Sequence, residues 1–285
     1  MSHISIKQAL SLAGEHLASS DSAILDCEVL LAHIFRKDRS YLRAWPEKTL
    51  SEQQHQLFFE LIKKRQQGEP IAYLTTCREF WSRPFIVNPD VLIPRPDTEL
   101  LIDIVLQKFK SNKAYSILDM GTGSGAIAIT LALELKQANV TAIDSSDKAL
   151  NIAQKNAKQL HAPNITFINS HWFDSIPAQQ FDLIVSNPPY ICNTDPHLTE
   201  GDVRFEPLAA LISAQQGLHD IQTICTSAQS FLKHNGLLLF EHGYQQGEQV
   251  KNLLELARFN NVESFKDIQG HTRATLGQQL QLLKE

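Results

Sequence analysis

Residues 115–144 constrain the fold more than any other stretch, because they read as a strand, a glycine-rich turn, a helix and a second strand. The apolar run from Tyr115 ends in Asp119-Met120-Gly121-Thr122-Gly123-Ser124-Gly125, and helical sequence follows from about Ala126 to Lys136. Three glycines there permit a tight turn and a close approach of backbone to ligand, where a helix N-terminus presents its free N–H groups. The next strand, Val140 to Asp144, closes on a carboxylate about 20 residues beyond the last glycine, a position suited to both hydroxyls of a ribose. A nucleoside is the expected tenant.

Glycine turns of this kind serve dinucleotides and S-adenosylmethionine alike. The spacing here is D-x-G-x-G-x-G rather than G-x-G-x-x-G, and a leading Asp119 repels a pyrophosphate while suiting a cationic amino-acid tail. That favours S-adenosylmethionine. The expected contacts are Gly121, Thr122, Gly123, Ser124, Gly125 and Asp144. After the third strand, His171-Trp172-Phe173-Asp174 reaches the same edge of the sheet, with Trp172 or Phe173 as a cover for the adenine. The alternative is that both rings are core, which is the expectation for Phe173.

Strand and helix signals alternate from about residue 114, which argues for a parallel sheet covered by helices. Further strands are expected at Thr166 to Asn169, Phe181 to Ser186 and Leu237 to Glu241, and helices near Asp147 to Gln159, Gly217 to Lys233 and Gln246 to Phe259. The leader is different. Ser5/Gln8 and Ser51/Gln54 have capping-box spacing ahead of helical apolar patterns, and a further helix is expected from about Asp21 to Phe35. The expected organisation is a helical domain over 1–75, a linker over 76–96 and the α/β domain over 97–285. Within the linker, Glu79-Phe80-Trp81, Phe85-Ile86-Val87 and Val91-Leu92-Ile93 read as a packed hairpin close to the active site, and Asp97 or Thr98 as the cap of the helix that follows.

The run Phe181 to Ser186 stops at Asn187-Pro188-Pro189-Tyr190. Prolines fix φ and offer no N–H, so this loop has carbonyls free to accept hydrogen bonds, beside a side-chain amide and a flat ring. That set suits a planar group bearing NH₂; the plainer alternative is a turn after a strand. An amide nitrogen is a poor nucleophile and has to be positioned. Asn187 Oδ1 and the Pro188 carbonyl can take its two hydrogens while Tyr190 stacks on the plane.

Net charge is −5, from 26 basic and 31 acidic residues, which argues mildly against a nucleic-acid substrate. No apolar run reaches the length of a membrane span, and the polar start Met1-Ser2-His3 has no signal-peptide character, so a cytoplasmic protein is expected. Four separated cysteines and scattered histidines give no metal-ligand spacing, and no metal is expected.

Taken together, the residues resemble the protein-glutamine N5-methyltransferases that modify peptide chain release factors. The resemblance is carried by Gly68-Glu69-Pro70-Ile71-Ala72-Tyr73-Leu74, Arg78-Glu79-Phe80-Trp81, Ile93-Pro94-Arg95-Pro96-Asp97-Thr98-Glu99, the glycine turn, Asn187 to Tyr190, and Gly201-Asp202-Val203-Arg204-Phe205-Glu206-Pro207. It implies a class I S-adenosylmethionine-dependent methyltransferase: a Rossmann-like seven-stranded sheet whose last strand, at Arg273 to Leu276, is antiparallel, behind a small helical domain and a β-hairpin linker. It further implies that Gly121 to Gly125, Asp144, Trp172 and Asn187 hold the cofactor. Asn187, Pro188, Pro189 and Tyr190 would receive the glutamine of a Gly-Gly-Gln tripeptide in class I release factors, with Asn187, Pro188 and Tyr190 catalytic. Separately from the resemblance, a monomer is expected. His171, where relatives usually have an acidic residue, and Thr76, where they often have glycine, depart from the pattern. The rival readings are an amino-methyltransferase acting on adenine or cytosine, which needs a basic face, and a nucleotide-binding module or oxidoreductase, which leaves Asn187 to Tyr190 unexplained.

Overall fold

The computed structural model describes residues 4–18 and 20–280; the polar start Met1-Ser2-His3 lies outside them. The chain divides into two compact units, Met1–Cys77 with Thr199–Phe205, and Arg78–Leu198 with Glu206–Glu285.

The first unit is helical: α1 (Ile6–His16), α2 (Ala23–Phe35), α3 (Arg39–Ala44), α4 (Glu52–Gln66) and the single turn α5 (Ile71–Leu74). Both expected capping boxes form. Ser5 accepts from the Gln8 backbone while the Gln8 side chain accepts from the Ser5 N–H, and Ser51 and Gln54 repeat the arrangement. Each box satisfies two of the donors that a helix start leaves unpaired. Apolar faces of α1, α2 and α4 meet in one core around Leu30, Leu31 and Phe58, all fully buried. Helix α3 lies in the broken basic stretch after α2 and was not anticipated; Asp38 starts it by accepting from the Tyr41 N–H at 3.0 Å.

The second unit begins with a two-stranded sheet, β1 (Cys77–Phe80) and β2 (Arg83–Ile86). The expected third segment, Val91 to Ile93, is not a strand. Pro89 and Pro94 flank it and deny ladder N–H groups, and Val91 and Ile93 are buried outside any ladder, the Val91 N–H donating to the Asn88 carbonyl at 3.1 Å. Helix α6 (Glu99–Lys108) follows a 3₁₀ turn over Pro96–Thr98, and neither Asp97 nor Thr98 caps it through a side chain.

The alternation beyond is β3 (Ser116–Met120), α7 (Ala126–Glu134), β4 (Asn139–Asp144), α8 (Asp147–Gln159), β5 (Ile165–Asn169) and β6 (Phe181–Ser186). After it come the turn α9 (Ala214–Gly217), α10 (His219–Ala228), β7 (Leu232–Glu241), α11 (Gly247–Leu256), β8 (Asn260–Lys266) and β9 (Thr272–Gln278). The helix expected over Gly217 to Lys233 is thus shorter, and Leu232 already belongs to a strand. The helix expected to reach Phe259 stops at Leu256, and an unforeseen strand starts at Asn260.

The seven strands run in the order β5-β4-β3-β6-β7-β9-β8. All neighbours are parallel except at β9, the last strand in the chain, which is antiparallel to both β7 and β8. One face of the sheet buries α6 and α7 with Ile117, Leu183 and Leu239; the other buries α10 and α11 with Leu118, Ile184 and Phe240. Parallel strands buried on both faces explain the near-continuous apolar runs of β3, β4 and β6. No helix among the described residues is long and apolar enough to cross a membrane.

Candidate active site

Strand register decides where the candidate residues emerge. Met120 is paired with Ile143 on β4 and Ser186 on β6, and Ser186 with Phe240 on β7. One residue further along each strand stand Gly121, Asp144, Asn187 and Glu241. The strand order reverses direction between β3 and β6, the place where open α/β sheets bind ligands beyond their carboxyl edge. Ser186 ties the two central strands at that edge, its hydroxyl donating to the Met120 carbonyl at 2.8 Å.

A cleft of about 380 Å³ opens there, lined by Gly121, Gly123, Asp144, Trp172, Asn187 and Pro189 together with Asp90 to Leu92 of the linker. Its size falls within the roughly 300–1,000 Å³ of small-molecule sites. Gly121 and Gly123 have φ of +72° and +55°, and a Cβ on Gly123 would meet nothing within 4 Å. Both positions therefore need glycine for conformation and leave the cleft floor bare.

The other three residues of the turn build it rather than line the cleft. Thr122 is buried and donates to Asp119 Oδ2 at 2.6 Å. The Ser124 carbonyl accepts from Asn156 Nδ2 at 2.8 Å. Gly125 caps α7 with φ of +84°, and a Cβ there would lie 2.7 Å from Ile129 Cδ1. Asp119 is itself fully buried and absent from the cleft lining; its Oδ2 also receives the Ala128 N–H, and burial pushes its pKa up to about 7. Asp119 Oδ2 thus holds the turn, while Oδ1 is buried with no hydrogen-bond partner among the described residues.

Asp144 stands at the cleft with its two oxygens accepting from Gly123 N at 2.9 Å and Ser146 N at 2.9 Å. Each carboxylate oxygen has a further lone pair. Burial raises its pKa while those backbone N–H groups oppose the rise. Trp172 holds φ of +45°, lies 3.9 Å from the Cβ position of Gly121, and has a buried indole N–H with no partner among the described residues. An unmet donor beside a carboxylate and bare glycines fits a nucleoside with polar edges. Phe173 packs in the core instead, stacked on Phe231 at 4.5 Å.

At the loop after β6, Asn187 Nδ2 donates to Thr98 Oγ1 at 3.2 Å. Pro188 is buried, and Pro189 reaches the cleft. Tyr190 is held at both ends: its hydroxyl donates to Glu241 Oε1 at 3.2 Å, and its carbonyl accepts from Gln246 Nε2 at 3.0 Å. Gly217, with φ of +86°, makes room, since a Cβ there would fall 2.0 Å from the Tyr190 oxygen. Burial and the adjoining Glu241 raise the Tyr190 pKa, so the phenol keeps its proton. The sequence offered Thr98 only as a helix cap and gave Glu241 and Gln246 no role at the site. Glu241 had a signal, a carboxylate closing an apolar strand at the carboxyl edge of the sheet.

A parallel sheet with one reversed strand, β9, a glycine turn facing an acidic strand end, and Asn-Pro-Pro-Tyr at the switch point define a class I S-adenosylmethionine-dependent methyltransferase. The Methyltransferase domain family model matches residues 111–283, and the PrmC N-terminal domain model matches residues 8–75. The chain is 47% identical over 272 residues to the release factor glutamine methyltransferase of Aliivibrio fischeri, covering 95% of this chain and 94% of that protein. It is 44% identical over 276 residues to the Escherichia coli protein of the same name, covering 97% and 98%. The chain belongs to the family of release factor glutamine methyltransferases. Among solved structures, a methyltransferase from Pyrococcus furiosus shares the fold at a TM-score of 0.54 and 15% identity, over 77% of this chain and 98% of that one.

Proposed function

We propose that this protein methylates the side-chain amide nitrogen of the glutamine in the Gly-Gly-Gln motif of class I peptide chain release factors, supporting translation termination. The observation that carries the reading is that Asn187 and Pro189 line the same cleft as Gly121, Gly123 and Asp144. An amide-receiving loop and a nucleoside site share one space. S-adenosylmethionine, bound there, supplies a methyl group on positively charged sulfur. Gly121 and Gly123 admit it close to the backbone, Asp144 takes its ribose hydroxyls, and Trp172 covers the base; Thr122, Ser124 and Gly125 act by shaping the turn.

Asn187 Oδ1 and the Pro188 carbonyl accept the two amide hydrogens of the substrate, while Pro189 and Tyr190 bound the flat group. Fixing both N–H bonds orients the nitrogen lone pair toward the cofactor side of the cleft. The nitrogen becomes far more acidic once alkylated, so the proton can leave after transfer. This removes the need for a strong general base, in keeping with a loop that carries no His, Asp or Glu. The acidic balance of the chain and the protein-glutamine relatives favour a protein substrate over a nucleic acid. A cytoplasmic monomer acting on a translation factor, with a substrate-recognition domain over 1–75, completes the reading.

Replacing Asn187 by Ala is expected to abolish turnover on a release factor while the dissociation constant for S-adenosylmethionine changes by less than about threefold. Near-normal methyl transfer in that variant contradicts the assignment.

A further inference from the structure

Asn187 can serve the proposed reaction only if its amide is the right way round. With Oδ1 toward the substrate it accepts an N–H; flipped, it presents an NH₂ group to a substrate that also offers hydrogens. The end facing away is fixed by Thr98, whose Oγ1 lies 3.2 Å from Asn187 Nδ2. A hydroxyl both donates and accepts, so Thr98 selects an orientation only if its own hydrogen is committed elsewhere.

That commitment is available in Glu241. Its carboxyl is 2 % exposed at the end of β7. Oε1 receives the Tyr190 hydroxyl at 3.2 Å, and Oε2 is buried with no hydrogen-bond partner among the described residues. Burial pushes the Glu241 pKa up to about 7, and the Thr98 and Tyr190 hydroxyls beside the carboxyl oppose that rise. Thr98 is itself buried at 4 % exposure, so its hydrogen has little access to water.

We infer that Glu241 and Thr98 are positioning residues for the methyl acceptor: Glu241 draws the Thr98 hydrogen, Thr98 Oγ1 then accepts only from Asn187 Nδ2, and Asn187 Oδ1 is left for the substrate amide. The same carboxylate fixes the Tyr190 ring through its hydroxyl, so one buried acceptor sets both the amide and the aromatic wall. Thr98 closes the Pro96–Thr98 turn and Glu241 closes β7, so two distant elements converge on the loop. The inference deepens the proposed function and rests on Asn187 receiving the glutamine amide.

Thr98→Val removes the hydroxyl at nearly constant shape, Thr98→Ser keeps it, and Glu241→Gln keeps the shape but brings an NH₂ that can donate to Thr98 and reverse the chain. The full-length protein is assayed with a Gly-Gly-Gln peptide and its Gly-Gly-Glu counterpart for peptide binding by fluorescence anisotropy, alongside turnover, cofactor affinity and thermal melting. Thr98→Val and Glu241→Gln are expected to lose roughly tenfold to hundredfold in Gln-peptide affinity or turnover, the effect of a stranded buried hydrogen bond. Their preference for Gln over Glu peptide should shrink by a similar factor, because a freed Asn187 amide can turn its NH₂ to a carboxylate. Thr98→Ser should stay within about threefold of the parent with melting unchanged, and cofactor affinity should be unchanged in all three variants.

An unchanged Gln-to-Glu preference in both Thr98→Val and Glu241→Gln, or a Thr98→Ser variant as impaired as Thr98→Val, overturns the inference. A merely structural role would lower the melting temperature without moving that preference. If Asn187→Ala retains turnover, the underlying function reading is at fault; if it is inactive while Thr98→Val behaves as the parent, only this inference is.

Discussion

Asn156 offers a quantitative test of how the cofactor turn is held. Its side chain is fully buried on α8 and makes three hydrogen bonds: Oδ1 accepts from Ile86 N at 2.7 Å, and Nδ2 donates to the Ile86 carbonyl at 3.0 Å and the Ser124 carbonyl at 2.8 Å. One amide therefore ties β2 and the glycine turn to a single helix. Asn156→Ala removes all three. Each is worth about 1 kcal/mol net, and more where the abandoned partner stays dry. Ile86 is only half-buried and water can repair its groups, whereas Ser124 is buried. The expected loss is therefore about 3 kcal/mol, a large share of the roughly 5–15 kcal/mol that stabilises a typical domain. Urea unfolding followed by tryptophan fluorescence reads the loss as a lower midpoint, and titration of the folded variant with S-adenosylmethionine should show weaker binding because Ser124 is untethered. A destabilisation below about 1 kcal/mol with unchanged cofactor affinity would refute the tethering argument.

The middle and last glycines of the turn should respond differently to alanine. Gly125→Ala combines a left-handed backbone with a 2.7 Å approach to Ile129 Cδ1, and is expected to destabilise by roughly 2–5 kcal/mol in denaturant titration. Gly123→Ala meets no neighbour, so it should cost only about 1–2 kcal/mol of backbone strain while clearly weakening cofactor binding. Asp144→Ala should weaken S-adenosylmethionine binding by at least tenfold in calorimetry, the scale of losing charge-assisted hydrogen bonds, and an unchanged dissociation constant contradicts its role. For pH, Asp119 is raised in the folded state from 3.8 to about 7, so its stabilising contribution is complete below about pH 4 and lost as pH rises through about 7. Relative to Asp119→Asn, the parent protein should lose stability across that window; a difference that grows in the parent's favour with rising pH contradicts the burial argument.

Much of the architecture was legible because local signals and burial agreed. The capping boxes at Ser5 and Ser51 named two helix starts, and the apolar runs of β3, β4 and β6 reflect strands covered on both faces. Strand β8 was invisible for the opposite reason: as an edge strand with a largely exposed, polar sequence, it shows no apolar period. Val91 to Ile93 misled because buried apolar residues resemble a strand even where flanking prolines forbid a ladder. At the site, Gly121, Gly123, Asp144 and Asn187 could be read together because each follows a strand at one edge of the sheet. Glu241 carried the same strand-end signal, but its pairing with Tyr190 across 51 positions and that of Thr98 with Asn187 across 89 are encoded in no local pattern.

The central claim is a glutamine amide in the cleft beside a methyl donor. Mass spectrometry of a class I release factor incubated with this protein and isotopically labelled S-adenosylmethionine tests it most directly. The account predicts one labelled methyl group per factor, on the side-chain nitrogen of the Gly-Gly-Gln glutamine, and none when Asn187 is Ala. Label on another residue, or on added nucleic acid with the glutamine left unmodified, would contradict it.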